Sequence, residues 1–184
     1  IVNWLKRNFF VKSFFLSFSF FIYALREGLY YILLIAQAWV NTSIIKTDKN
    51  SSMMLNFGII STARINHNAM LLPASKRDDV FIKAIASRDL DKAKEYANAW
   101  NIPTFYGSYE EILQDPTLDA VYISTPNALH VPWVKEALLK NKHVLCEKPF
   151  APTYMDTLSL IKLAKSKGLL LMEGIHYNYH PAVQ

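Results

Sequence analysis

Cysteine is almost missing from this chain of 184 residues: Cys146 is the single thiol. That excludes an internal disulfide and any cysteine-rich zinc site, and it fits a reducing compartment. A consistent excess of one charge is missing as well. The formal charge is +5, but up to Ser52 six basic residues stand against Glu27 and Asp48, whereas the remainder carries fourteen basic against thirteen acidic residues. The organised part of the chain is therefore nearly neutral, which gives a nucleic-acid groove little support. The glycine fingerprint G-x-G-x-x-G is absent too. Internal repeats and low-complexity tracts are absent from Met54 onward. The length admits one ordinary domain with a sizeable core and not two full ones.

What is present falls into two unlike parts. Residues 1–52 hold two hydrophobic stretches, "FFVKSFFLSFSFFIYAL" and "LYYILLIAQAWV", and seven of the eleven phenylalanines lie before Ile22. Lys12 and Arg26 leave thirteen uncharged residues between them, short of the roughly 20 that cross a bilayer. The expectation is a hydrophobic leader foreign to the native domain, read as sequence outside the true frame or exon. A membrane anchor through residues 9–45 is the alternative.

From Met54 the pattern becomes regular. Apolar runs at "MMLNFGII", "VFIKAIAS", a short piece near Thr104 and Phe105, "DAVYIS", "HVLC" and "LLLMEG" read as six strands. Between them lie helical segments. "ARINHNAMLLPAS" is predicted to run until Pro73 stops it, and "DLDKAKEYANAW" to start at an Asp89 N-cap with Leu90, Ala93, Ala97 and Trp100 on one face. "SYEEILQ" opens with a capping box, "VPWVKEALLKN" carries Pro132 in its first turn, and "TYMDTLSLIKLAKSKG" closes at Gly168. Strands apolar throughout, alternating with helices, imply an α/β fold: a doubly wound parallel sheet covered on both faces. Such sheets bind ligands at the carboxyl ends of their strands, so the residues after each strand carry the functional reading.

The first strand leads into "GIISTARI". Gly58, Ser61, Thr62, Ala63, Arg64 and Ile65 form the candidate dinucleotide turn, although Ser61, Ala63 and Asn66 stand where the three fingerprint glycines would fall. The second strand ends in Ser87 and Arg88, where a cation accommodates a ribose 2′-phosphate and favours NADP over NAD; the plainer reading makes Arg88 a solvated helix-start residue and leaves Asp89 nearby to serve a ribose. The fourth strand runs into Ser124, Thr125, Pro126 and Asn127, which offer donors and acceptors beside a ribose. His130 is either a site residue or the first-turn residue of the next helix. The fifth strand delivers Glu147 and Lys148, a pair that decorates a strand end or works in a cleft.

Taken in order, "FGIISTARI", "AIASRD", "YGSYEEIL", "DAVYISTPNALH", "KHVLCEKP" and "LLMEGIHYNYHP" resemble the Gfo/Idh/MocA oxidoreductases, over about Leu55 to Gln184. Within that family they are most similar to the branch of NADP-dependent D-xylose 1-dehydrogenases and dimeric trans-1,2-dihydrodiol dehydrogenases. The resemblance implies an NAD(P)-binding Rossmann domain over residues 53–174 and the start of a truncated C-terminal α/β substrate domain over 175–184, with Tyr177, Tyr179 and His180 bridging the two. It implies that Lys148 is catalytic, and that Thr125, Pro126 and Asn127 line the cofactor. It also implies a sugar or trans-diol substrate, no nucleic acid, a homodimer for the full-length protein, and a cytoplasmic location unless the leader is an anchor. A positioned acid or base beside the reacting oxygen contributes on the order of 10² to 10⁴-fold in rate, and a lysine supplies one that also polarises a carbonyl when protonated.

Overall fold

The computed structural model describes residues 54–175. The expected leader and the expected bridging residues Tyr177, Tyr179 and His180 lie outside the described residues. Six strands form one sheet: β1 (Leu55–Ile60), β2 (Val80–Ala86), β3 (Thr104–Tyr106), β4 (Ala120–Ile123), β5 (His143–Cys146) and β6 (Leu171–Glu173). All neighbours are parallel, in the order β3-β2-β1-β4-β5-β6. The order reverses between β1 and β4, and that switch point opens the crevice in which sheets of this class bind ligands.

The crossover connections place helices on both faces of the sheet. The helical segment α1 (His67–Leu71, then Leu72–Ala74) and α2 (Leu90–Trp100) follow β1 and β2. They cover a core of Phe57, Ile59, Met70, Ile85, Ala97 and Tyr122. Helices α3 (Tyr109–Gln114), α4 (His130–Leu139) and α5 (Tyr154–Lys167) cover the other face, over Ile60, Ile112, Val121, Val134, Leu145's neighbour Cys146 and Leu160. Successive strand residues alternate between these cores, as the pleat requires. Because both faces are covered, β4 is buried at every position, which is why its sequence is apolar without alternation.

Several local outcomes differ from the predicted ones. Pro73 does not stop α1. A π turn, in which the Leu72 N–H donates to His67 O, carries the chain past it to Ala74. On α2 the buried face is narrower than its spacing predicts: Ala93 and Ala97 are buried, while Leu90 and Trp100 are exposed. Asp89 does cap α2, accepting from Lys92 N–H. The capping box of α3 is displaced by one residue, since Ser108 Oγ accepts from Glu111 N–H but Glu111 Oε2 accepts from Gly107 N–H. In β2, Phe57 pairs with Ile82 and Gly58 with Ala84. Lys83 is thus the extra residue of a bulge, and it switches the side on which β2 buries its side chains. Gly168 closes α5 at φ 65°, the left-handed C-cap that glycine takes without penalty.

Candidate active site

The parallel register brings the residues after the strands to one edge. Ile60 pairs with Ala86 and with Ile123, Ile123 with Cys146, and Cys146 with Glu173. The next residues, Ser87, Ser61, Ser124, Glu147 and Gly174, form a row across the sheet. Each continues the ladder by one bond. Ser61 N–H donates to Ala86 O at 3.0 Å, Ser124 N–H to Ile60 O at 3.2 Å, Glu147 N–H to Ile123 O at 2.9 Å and Gly174 N–H to Cys146 O at 2.7 Å. With strands about 4.8 Å apart, the β5 tip lies roughly 10 Å from the β1 tip, a span that one dinucleotide covers.

The β1 turn is built around a residue that the glycine pattern treats as a defect. Ser61 stands where the first fingerprint glycine would fall and adopts φ 103°, a backbone state that costs a non-glycine residue on the order of 1–3 kcal/mol. Buried Asn66, at the third glycine position, holds it there. Its Nδ2 donates to Ser61 O at 2.7 Å, and its Oδ1 accepts from Ser124 Oγ at 2.6 Å. One amide therefore ties the β1 tip to the β4 tip. Thr62 and Ala63 are partly exposed and Arg64 and Ile65 exposed, and no described residue accepts from their four backbone N–H groups. Gly58 is not part of this turn. It lies within β1, where an added Cβ would meet Leu118 Cδ1 at 2.7 Å and Ile112 Cδ1 at 3.0 Å; its small size serves the close approach of α3.

At the β2 tip Ser87 is buried and its Oγ accepts from Asp89 N–H, while Arg88 is exposed. At the β4 tip Thr125 is 4 % exposed. Its Oγ1 is the one buried side-chain oxygen or nitrogen without a hydrogen-bond partner among the described residues. Such an atom costs about 1–3 kcal/mol when left unpaired, so the position fits a bound polar group. Pro126 and Asn127 follow as exposed residues. A strained turn presenting N–H groups, an exposed cation one strand away and an orphaned hydroxyl on the other side together match what a phosphate-bearing dinucleotide requires.

The β5 tip holds the charged residues. Glu147 is buried, its Oε1 accepting from Tyr122 O–H at 2.6 Å. Lys148 is exposed, not sunk in a desolvated cleft of the described residues. Its backbone is anchored nevertheless. Lys148 N–H donates to Glu147 Oε2 at 3.3 Å and Phe150 N–H to Glu173 Oε1 at 2.8 Å; the Lys148–Pro149 bond is cis. Burial pushes the Cys146 thiol far above its ordinary range, with the charges of Glu147 and Glu173 adding to the effect. Lys142, at the opposite edge of the sheet, is a contrast. It is buried, donates to Leu118 O at 2.9 Å and Asp115 O at 2.5 Å, and is structural. His130 is fully buried, with Nε2 2.8 Å from Thr125 O and Nδ1 2.8 Å from Pro149 O.

Tyr122, Asn66 and Glu173 are the supporting residues that sequence reasoning missed. The signal for Tyr122 was a polar tip inside an otherwise apolar strand. Among the described residues no cluster of His, Cys, Asp and Glu suits a metal, and no helix is long and apolar enough to cross a membrane. A cavity of about 250 Å³ lies at the other end of the sheet, lined by His67, Leu72, Val80, Phe81 and Trp100; it is remote from the strand tips.

Comparison with known proteins agrees with this geometry. D-xylose 1-dehydrogenase (NADP(+)) 2 of Haloferax volcanii is 42% identical over 128 residues, which is 70% of this chain and 39% of that protein. Trans-1,2-dihydrobenzene-1,2-diol dehydrogenase of Mus musculus is 38% identical over 133 residues, 72% of this chain and 40% of that one. The chain thus spans about two fifths of the curated relatives it matches. Among solved structures, the 3-ketoreductase KijD10 of Actinomadura kijaniata in complex with NADP and TDP-benzene superposes with a TM-score of 0.66 at 33% identity, covering 70% of this chain and 39% of that one. Residues 55–175 match the oxidoreductase family with an NAD-binding Rossmann fold, and the chain belongs to that family, Gfo/Idh/MocA.

Proposed function

We propose that the protein acts as an NADP-dependent oxidoreductase on a sugar or trans-diol, with Lys148 as its catalytic residue. The observation that carries this reading is the placement of an exposed lysine at the β5 tip, beside a buried, unpartnered Thr125 Oγ1 and two strands from the strained Ser61 turn. The chemistry supplied by the bound dinucleotide is hydride exchange with the substrate carbon. The backbone N–H groups of Thr62–Ile65 would hold the pyrophosphate, Arg88 would pair with the 2′-phosphate, and Thr125 and Asn127 would bond the ribose on the nicotinamide side. Lys148 Nζ takes the proton from the substrate hydroxyl on oxidation and returns it to the carbonyl oxygen on reduction.

Substrate class rests on the names of the relatives, D-xylose for one and a trans-dihydrodiol for another; both substrates present adjacent hydroxyls. A homodimer and a cytoplasmic location complete the reading and rest on the resemblance alone. In the full-length protein, Lys148→Met is expected to lower turnover of D-xylose or a trans-diol by at least about 10²-fold and to leave NADPH binding, followed by fluorescence, nearly unchanged. Arg88→Ala is expected to weaken NADP far more than NAD. NADPH binding with no sugar- or diol-dependent turnover in the unsubstituted protein would instead identify a sensing module.

A further inference from the structure

His130 is the buried group whose place the functional reading does not use. It is fully buried at the start of α4, and its two ring nitrogens face two different loops. One is the carbonyl of Thr125 in the β4 loop and the other the carbonyl of Pro149, next to Lys148, each at 2.8 Å. Carbonyl oxygens only accept, so a proton on either ring nitrogen bonds one loop and protons on both nitrogens bond both. A ring so enclosed has no atom left for a cofactor or substrate.

From this geometry we infer that His130 is a positioning residue, a strut that sets the distance between the cofactor loop at Thr125 and the loop that carries Lys148. The inference rests on the reading of Lys148 as the acid/base group. Lys148 itself is exposed, and the main-chain carbonyl of Pro149 beside it is held on one side by His130, while Phe150 N–H is held on the other by Glu173 at 2.8 Å. Loss of the strut leaves Glu173 as the remaining side-chain anchor beyond Lys148. The lysine then wanders relative to the β4 tip, where the reacting carbon would lie. A displacement of about 1 Å in a reacting group costs on the order of 10²-fold in rate.

The test uses the full-length protein with NADP and D-xylose or a trans-diol, and expresses kcat per NADPH-binding site titrated by fluorescence. His130→Ala is expected to lower that kcat by about 10 to 10²-fold, with the NADPH dissociation constant within about threefold. His130→Gln, which keeps one donor, is expected to fall between that variant and the unsubstituted protein. It also serves if the alanine variant does not fold. In the Lys148→Met background His130→Gln should cost nothing further, because the strut acts through the lysine. A loss confined to melting temperature and to the fraction of molecules that bind NADPH, with kcat per site unchanged, overturns the inference and leaves His130 merely structural. Additive losses in the double variant overturn it as well, since they mean another route. Should Lys148→Met alone keep full turnover, the functional reading fails first and the strut falls with it, a result distinct from the other two.

Discussion

Replacing Gly58 with alanine separates packing from cofactor binding at the one glycine near the dinucleotide turn. The added methyl would sit 2.7 Å from Leu118 Cδ1 and 3.0 Å from Ile112 Cδ1, well inside van der Waals contact. Leu118 is 3 % exposed and Ile112 not at all, so neither can swing into solvent. Two effects favour the alanine. Burying a methyl contributes about 0.8 kcal/mol, and losing glycine's freedom in the unfolded chain contributes about 0.4–1 kcal/mol. Against them, overfilling a closed core costs about 1–3 kcal/mol, and here two neighbours must move rather than one. The balance is a net loss of about 1 kcal/mol for alanine. Valine adds two more carbons to the same space and is expected to lose about 3 kcal/mol or more. Urea unfolding followed by tryptophan fluorescence reads both losses as shifts of the midpoint. NADPH titration of the folded fraction should show affinity within about twofold of the parent. An alanine variant as stable as the parent but tenfold weaker for NADPH would refute the placement of Gly58 in the α3 contact and return it to the cofactor turn.

Two further outcomes follow from buried titratable groups. The half-buried His143 ring accepts from Leu170 N–H through Nδ1 at 2.9 Å, and burial lowers its pKa below the ordinary 6.5 against the opposing charge of Asp119. The unfolded chain binds that proton at higher pH than the folded one, so this contribution is present above about pH 6.5 and is lost as pH falls through the folded value. His143→Gln keeps an acceptor without titrating, and urea midpoints between about pH 5 and 7 should flatten relative to the parent; identical slopes would rule His143 out as the source. Cys146 is fully buried with its thiol held protonated by burial, so an aromatic disulfide reagent at about pH 8 should label it only after denaturation. Rapid labelling of the native protein would contradict its place in the core.

Most of the architecture was legible because the strands are buried on both faces. Val121, Tyr122 and Ile123, or Val144, Leu145 and Cys146, must be apolar at consecutive positions, and that run is visible without knowing any partner. Two N-caps were legible because caps are local: Asp89 and Ser108 each accept from the N–H three residues on, as does Thr153, for which no cap was expected. What escaped depends on partners distant in sequence. The bulge at Lys83 is defined by how β2 meets β1, and nothing in "VFIKAIAS" marks it. Leu90 and Trp100 share the helical spacing of Ala93 and Ala97, yet both remain exposed, because burial is decided by what packs on the helix and not by its own period. Gly58 read as a turn residue because a glycine near a strand end usually is one, whereas its reason is Leu118, sixty residues away. Lys148 was placed at the carboxyl end of β5 because it follows that strand directly in the sequence; its exposure depends on what surrounds the tip.

The absent glycine fingerprint is the most instructive case. Glycines in such a turn provide a left-handed backbone and close approach of helix to strand. Here Ser61 takes the left-handed state without being glycine, and Asn66 fills the space where close approach would occur. The amide's two bonds, to Ser61 O and from Ser124 Oγ, offset the strain at Ser61 by satisfying buried polar groups on both sides of the switch point. A glycine at position 66 would leave Ser124 Oγ with only a 3.4 Å contact to Ile60 O and would free Ser61 to relax. The β1 and β4 tips are thus coupled by a side chain. The same device recurs one strand over, where the His130 ring couples the β4 and β5 tips. Neighbouring tips of the row are thus joined below the surface by buried polar side chains, Asn66 between β1 and β4 and His130 between the β4 and β5 loops.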